Sequence, residues 1–170
     1  LHYKTLIHGA YIVDGTGSPE FRANVAISKQ GMLKLLPEGS MADAEEVIDG
    51  DGLCLAPGFI DTHTHDDTAV IKTPQMKSKV SQGVTTVIVG NCGISASPVT
   101  LRGKPANPMN LIGESGDFVY PRFADYTDAV EKARPNVNVA SLVGHTSLRN
   151  NHMENLYRPA DETEIRAMRK

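Results

Sequence analysis

The chain has 170 residues, of which 40% are hydrophobic and 22% charged, and its 17 Lys and Arg against 20 Asp and Glu leave a net charge of −3. This is the composition of a folded domain with a core. Mild acidity without a block of like charge gives no sign of a nucleic-acid or anionic-membrane surface. No apolar run approaches the ~20 residues of a membrane span.

The opening Leu1-His2-Tyr3-Lys4-Thr5-Leu6-Ile7 has neither the basic region nor the long apolar stretch of a secretory leader. Two cysteines, Cys54 and Cys92, make no disulfide framework. A cytoplasmic location is the default expectation, and Cys54 reads as a small buried apolar residue.

Residues 2–55 read as strands and turns. Leu6, Ile7, Tyr11, Ile12 and Val13 are β-formers interrupted by His8-Gly9, and Asp14-Gly15-Thr16-Gly17-Ser18-Pro19 is a turn. Val25, Ile27, Met32, Leu33 and Leu35 continue the β pattern, and Asp49-Gly50-Asp51-Gly52 turns the chain before Leu53-Cys54-Leu55. Short strands with Gly-rich turns suggest a small sandwich or barrel-like layer.

From Ala56-Pro57-Gly58 onward, strands alternate with helices. Phe59–His65 is expected as the first strand. Thr73 as N-cap, Pro74 in the first turn and Gly83 at the end predict a helix over 74–82. Val84–Val89 is a continuous β-branched run of the kind buried on both faces of a parallel sheet. Residues 94–121 hold many prolines and glycines without a period, which predicts a long loop. Phe123, Tyr126, Val130 and Ala133 form a helical stripe stopped by Pro135, and Val137–Val143 is a third strand. After a polar loop, Asp161 caps a last helix carrying Ile165 and Met168. Repeated βα alternation argues for a parallel sheet, either an open one or the first three units of a (β/α)8 barrel.

Each of these strands ends in a candidate ligand. Residues i and i+2 of a strand share a face, so Phe59, Asp61, His63 and His65 are expected on one side, the two imidazoles about 7 Å apart. Cys92 follows the second strand, and His145 follows the third. Carboxyl ends of parallel strands are where sites form, and imidazole and thiolate are both good zinc ligands. Each residue also has a plainer reading. The histidine pair can be packed or hydrogen-bonded without metal. Cys92 alone reads as a buried thiol, His145 as a capping or core residue, and Asp66-Asp67 as a solvated loop. Asp61 can orient an imidazole or cap a turn. Placement at three successive strand ends is what favours metal.

These residues also carry a resemblance. Ala56-Pro57-Gly58-Phe59-Ile60-Asp61-Thr62-His63-Thr64-His65-Asp66-Asp67 resembles the first-strand signature of the amidohydrolase superfamily. Gly83–Ser95, with its Gly90-Asn91-Cys92-Gly93, and Asn138–Arg149 resemble the D-aminoacylase, or N-acyl-D-amino-acid deacylase, family. Gly9–Gly17 is similar to that family's N-terminal strand pair.

The resemblance implies a small β-sandwich domain, of which residues 1–56 are part. It also implies that residues 57–170 are the N-terminal portion of a (β/α)8 barrel, truncated after about three βα units. It implies zinc on His63, His65 and Cys92; it carries no catalytic role onto His145, which with Asp61 is left as a candidate to orient the ligands or as a structural residue. The catalytic aspartate of the family falls beyond this stretch. The implied reaction is zinc-dependent hydrolysis of N-acyl-D-amino acids by metal-bound hydroxide, with a small-molecule substrate, no nucleic-acid or membrane partner, room for an oligomer, and no turnover by these 170 residues alone. Two alternatives stand beside it: a hydantoinase-like or dihydroorotase-like enzyme acting on cyclic amides, and a non-catalytic, metal-binding truncated pseudoenzyme.

Overall fold

Residues 2–169 are described by a computed structural model, a mixed α/β structure that divides into two compact units between Pro57 and Gly58. The first unit is a five-stranded sheet built of β1 (His2–Ile12), β2 (Phe21–Ile27), β3 (Leu33–Leu36), β4 (Asp43–Asp49) and β5 (Cys54–Leu55). Its order is β3-β2-β1-β4, with β5 also on β1, and β4 and β5 both run parallel to β1. The interruption at His8-Gly9 does not end β1. It is a bulge between Ile7 and Ala10, where Gly9 takes φ +73° and the buried Asn24 side chain accepts its amide proton at 2.8 Å. Two clusters are buried in this sheet, Ala10, Ile12, Ala23 and Val25 in one and Tyr3, Leu6 and Ala26 in the other.

Strand β4 has no counterpart in the sequence reading, because its acidic Asp-Ala-Glu-Glu stretch masks the β-formers Val47 and Ile48. Cys54 is exposed, contrary to the buried thiol expected, because the two-residue β5 leaves its side chain in solvent.

The second unit is centred on three parallel strands, β6 (Phe59–Asp61), β7 (Val84–Val89) and β10 (Asn138–Ser141), in the order β10-β7-β6. No barrel is closed among the described residues. Val87 and Val89 on the central β7 are fully buried, and they pack with Val70, Met76, Ala96, Tyr126 and Val137.

The expected helix over 74–82 is instead two short turns, α1 (Ala69–Lys72) and α2 (Lys77–Val80). Thr73 closes α1 rather than opening a helix, since a residue before proline avoids helical geometry, and Met76 stands in the left-handed region at φ 43°. Residues 94–121 are not structureless. They hold a two-stranded antiparallel pair, β8 (Val99–Thr100) with β9 (Val119–Tyr120), over a second core of Ile94, Val99, Met109, Ile112 and Phe118.

Helix α3 (Phe123–Ala133) ends before Pro135 as the stripe predicts. Helix α4 (His145–His152) is absent from the sequence reading, because its His-Thr-Ser-Leu-Arg-Asn-Asn-His run has no apolar stripe. Helix α5 (Glu162–Met168) is capped by Asp161, whose side chain accepts the Glu164 amide. No helix of the described residues is long and apolar enough to cross a membrane.

Candidate metal centre

Strand β6 ends at Asp61, so His63 and His65 lie in irregular chain beyond the ladder and not on a pleated face. This corrects the expectation of a strand running to His65. Their spacing is set by a hook, the buried Thr64 between them. Its backbone amide and hydroxyl both donate to the carbonyl of Ile88 on β7, at 3.2 and 3.3 Å. Asn91 donates its amide to the same carbonyl at 2.8 Å and to that of Thr64 at 3.4 Å. With Thr64 turned inward, its two neighbours turn outward, and both imidazoles are exposed. Their rings meet edge-on, with centroids 5.7 Å apart and planes at 77°.

Cys92 comes from the turn after β7. It takes φ 54°, a left-handed conformation strained for any residue with a Cβ, between Gly90 at φ 80° and Gly93 at φ 75°. At Gly90 a side chain would also collide with the carbonyl of Leu142. The thiol is exposed, which corrects its reading as a buried group, and its Sγ lies 3.0 Å from His63 Nε2. One donor atom each from His63, His65 and Cys92 falls within 4.8 Å of the others. Donors of a tetrahedral centre with 2.0–2.3 Å bonds stand roughly 3.3–3.8 Å apart, so small side-chain rotations bring these to bonding distance. Two imidazoles and a thiol form a soft set suited to zinc, and their exposure leaves an open approach.

His145 is not in this group. It is the first residue of α4 and is exposed. Its surroundings nevertheless brace the Cys92 turn. Thr146 donates its amide to the carbonyl of Gly93 at 2.8 Å, and a Cβ at Gly144 would stand 2.6 Å from that same oxygen. The buried Ser147 hydroxyl donates to the Ser95 carbonyl at 2.8 Å and accepts the Ser95 amide at 2.9 Å. Ser95 and Ser147 lie in the two stretches that carry the resemblance, but their contact is not readable from either, since they meet only in the folded chain.

The acidic residues around the histidines differ from one another. Asp61 accepts the backbone amide of His63 at 3.4 Å, and the Lys79 ammonium holds its carboxyl below the usual carboxylate range. Asp66 and Asp67 are not a solvated loop. Asp66 pairs with Lys79, and Asp67 is fully buried. Asp67 Oδ1 accepts the Ala96 amide at 3.2 Å, its carbonyl accepts the Tyr126 hydroxyl at 2.8 Å, and its Oδ2 is buried without a partner among the described residues. Burial pushes this carboxyl up.

The family model described as the amidohydrolase family matches residues 46–170, well over half of the chain. The chain belongs to the amidohydrolase family. Within that family it is 42% identical over 167 residues to a D-aminoacylase of Alcaligenes xylosoxydans xylosoxydans, covering 98% of this chain and 34% of that protein. It is 43% identical over 164 residues to an N-acyl-D-aspartate deacylase of the same organism, covering 96% and 32%. The crystal structure of an N-acyl-D-glutamate deacylase from Bordetella bronchiseptica, complexed with zinc and a phosphonate mimic of the tetrahedral intermediate, superposes with a TM-score of 0.90. That structure is 38% identical, with 99% of this chain and 35% of the other covered. This amidohydrolase chain therefore spans about a third of the length of the relatives it matches.

Proposed function

We propose that the protein to which these residues belong is a zinc-dependent deacylase that hydrolyses the amide bond of N-acyl-D-amino acids, with His63, His65 and Cys92 as metal ligands. The observation that carries the reading is the convergence of these donors from the ends of two adjacent parallel strands within 4.8 Å. The kinship with D-aminoacylases and the zinc in the N-acyl-D-glutamate deacylase structure support it. In this reading residues 57–170 are the first βα units of a (β/α)8 barrel, and residues 1–56 are part of its small β domain.

Zinc held by such ligands supplies a water of lowered pKa and polarises the amide carbonyl. The chain's own contributions are local. His63 and His65 present their rings from one short turn, and the Cys92 sulfur stands beside the His63 ring. Gly90 lets the turn pass against the Leu142 carbonyl, and both Gly90 and Gly93 take left-handed conformations in the turn that carries Cys92.

The test is metal content and turnover. The full-length protein is expected to purify with zinc and to release free D-amino acid from N-acetyl-D-amino acids, whereas Cys92→Ala loses the metal. Retention of zinc by Cys92→Ala would refute the ligand assignment. The 170 residues alone, about a third of the relatives' length, are expected to give no turnover above a His63→Ala/His65→Ala control.

A further inference from the structure

Lys79 stands on α2, outside the donor group, yet it closes the chain segment that carries both histidines. Its ammonium donates to Asp61 Oδ2 at 2.8 Å and pairs with Asp66 Oδ2 at 3.0 Å. Asp61 is the last residue of β6, and Asp66 directly follows His65. One cation thus pins both ends of the Asp61–Asp66 turn, while the Thr64 hook pins its middle.

The three side chains are only 22%, 32% and 24% exposed, so solvent screens this pairing less than at an open surface. Two carboxylates touching one ammonium lie within roughly 6 Å of each other, where uncompensated like charges repel. Without the lysine, that repulsion acts across the ends of the turn and pushes it open.

We propose that Lys79 is a positioning residue for the His63–His65 pair, holding the turn shut through its double ion pair so that both rings are set before a metal arrives. This rests on the metal-centre reading above. Removing a group that orients metal ligands typically lowers metal affinity 10–100-fold. A structural ion pair unconnected to the ligands would lower stability and leave affinity alone.

The experiment compares wild type, Lys79→Met and Lys79→Arg in the full chain. Zinc affinity is measured by competition with a chelator, and amide exchange of residues 62–66 is followed in metal-free protein. Lys79→Met is expected to bind zinc at least tenfold more weakly and to exchange these amides faster, while Lys79→Arg keeps both within about threefold of wild type. Lys79→Met with wild-type zinc affinity overturns the proposal, as does weakened affinity with unchanged exchange. A wild type that binds no zinc is a separate outcome, which sinks the metal reading and this proposal with it.

Discussion

Cys92 combines a reactive side chain with a backbone conformation that favours glycine. At φ 54° it sits where a Cβ costs free energy, and glycines on either side share the same region. Cys92→Gly and Cys92→Ala both remove the thiol, but only glycine relieves the backbone. Metal-free Cys92→Gly is therefore expected to be more stable than Cys92→Ala by about 1 kcal/mol in chemical denaturation. Equal stabilities would mean the turn is not strained. At this scale the sequence was legible where chemistry is local. The His-x-His doublet and Gly90-Asn91-Cys92-Gly93 carry the three residues whose side-chain atoms the fold gathers within 4.8 Å. Lys79, Asp67 and the Ser95–Ser147 pair were not legible, because their roles depend on partners that only folding brings near.

Helix α5 shows how one element's stability is tied to pH. Arg158 grips Glu164 with both guanidinium nitrogens, and Asp161 and Glu164 exchange side-chain-to-backbone hydrogen bonds across the first turn. Arg158 holds the Glu164 carboxyl at about 2, below its ordinary 4.5. A depressed acid pKa stabilises the folded form above the unfolded value and loses that contribution as pH falls through the folded one. Amide exchange in the first turn of α5, corrected for intrinsic rates, is expected to quicken between pH 4.5 and 2. Glu164→Gln is expected to exchange fast throughout and to lose this dependence. An unchanged profile in Glu164→Gln would remove the carboxylate from the account.

The Asp161 cap and the β-branched β7 were readable because each is a local preference. The 74–82 helix was misjudged because Thr73-Pro74 can open a helix or close one, and only the neighbouring packing decides. Helix α4 gave no signal, since its polar run is held by contacts to the Cys92 turn rather than by an apolar face.

At the scale of the molecule, large apolar side chains remain uncovered. In the second unit Phe59 and Ile60 on the edge strand β6 are 65% and 60% exposed, and Leu142 and Val143 beyond the other edge strand are 51% and 46% exposed. Open strand edges beside exposed apolar groups template association. The 170 residues expressed alone are expected to self-associate with rising concentration in sedimentation velocity, and Phe59→Ser/Leu142→Ser is expected to shift the distribution toward monomer. Concentration-independent monomer in the unsubstituted chain would contradict this. The parallel βα order was legible because β-branched runs and Gly-Pro punctuation repeat along the chain. The internal structure of 94–121 was not, because its two strands are two residues each and owe their form to the core beneath them.

The Thr64 hook has a corollary for redesign. Because the ladder stops at Asp61, the spacing of the two rings is set by the anchors of the turn beyond it, the Ile88 carbonyl, the Asn91 side chain and Lys79, rather than by the β6–β7 pairing itself. Changes at Thr64 or Asp66 that loosen these anchors are expected to re-space the imidazoles while β6, β7 and β10 keep their alignment. If His63 and His65 hold metal as proposed, a library randomised over residues 62–66 is the natural place to select for a metal of different radius.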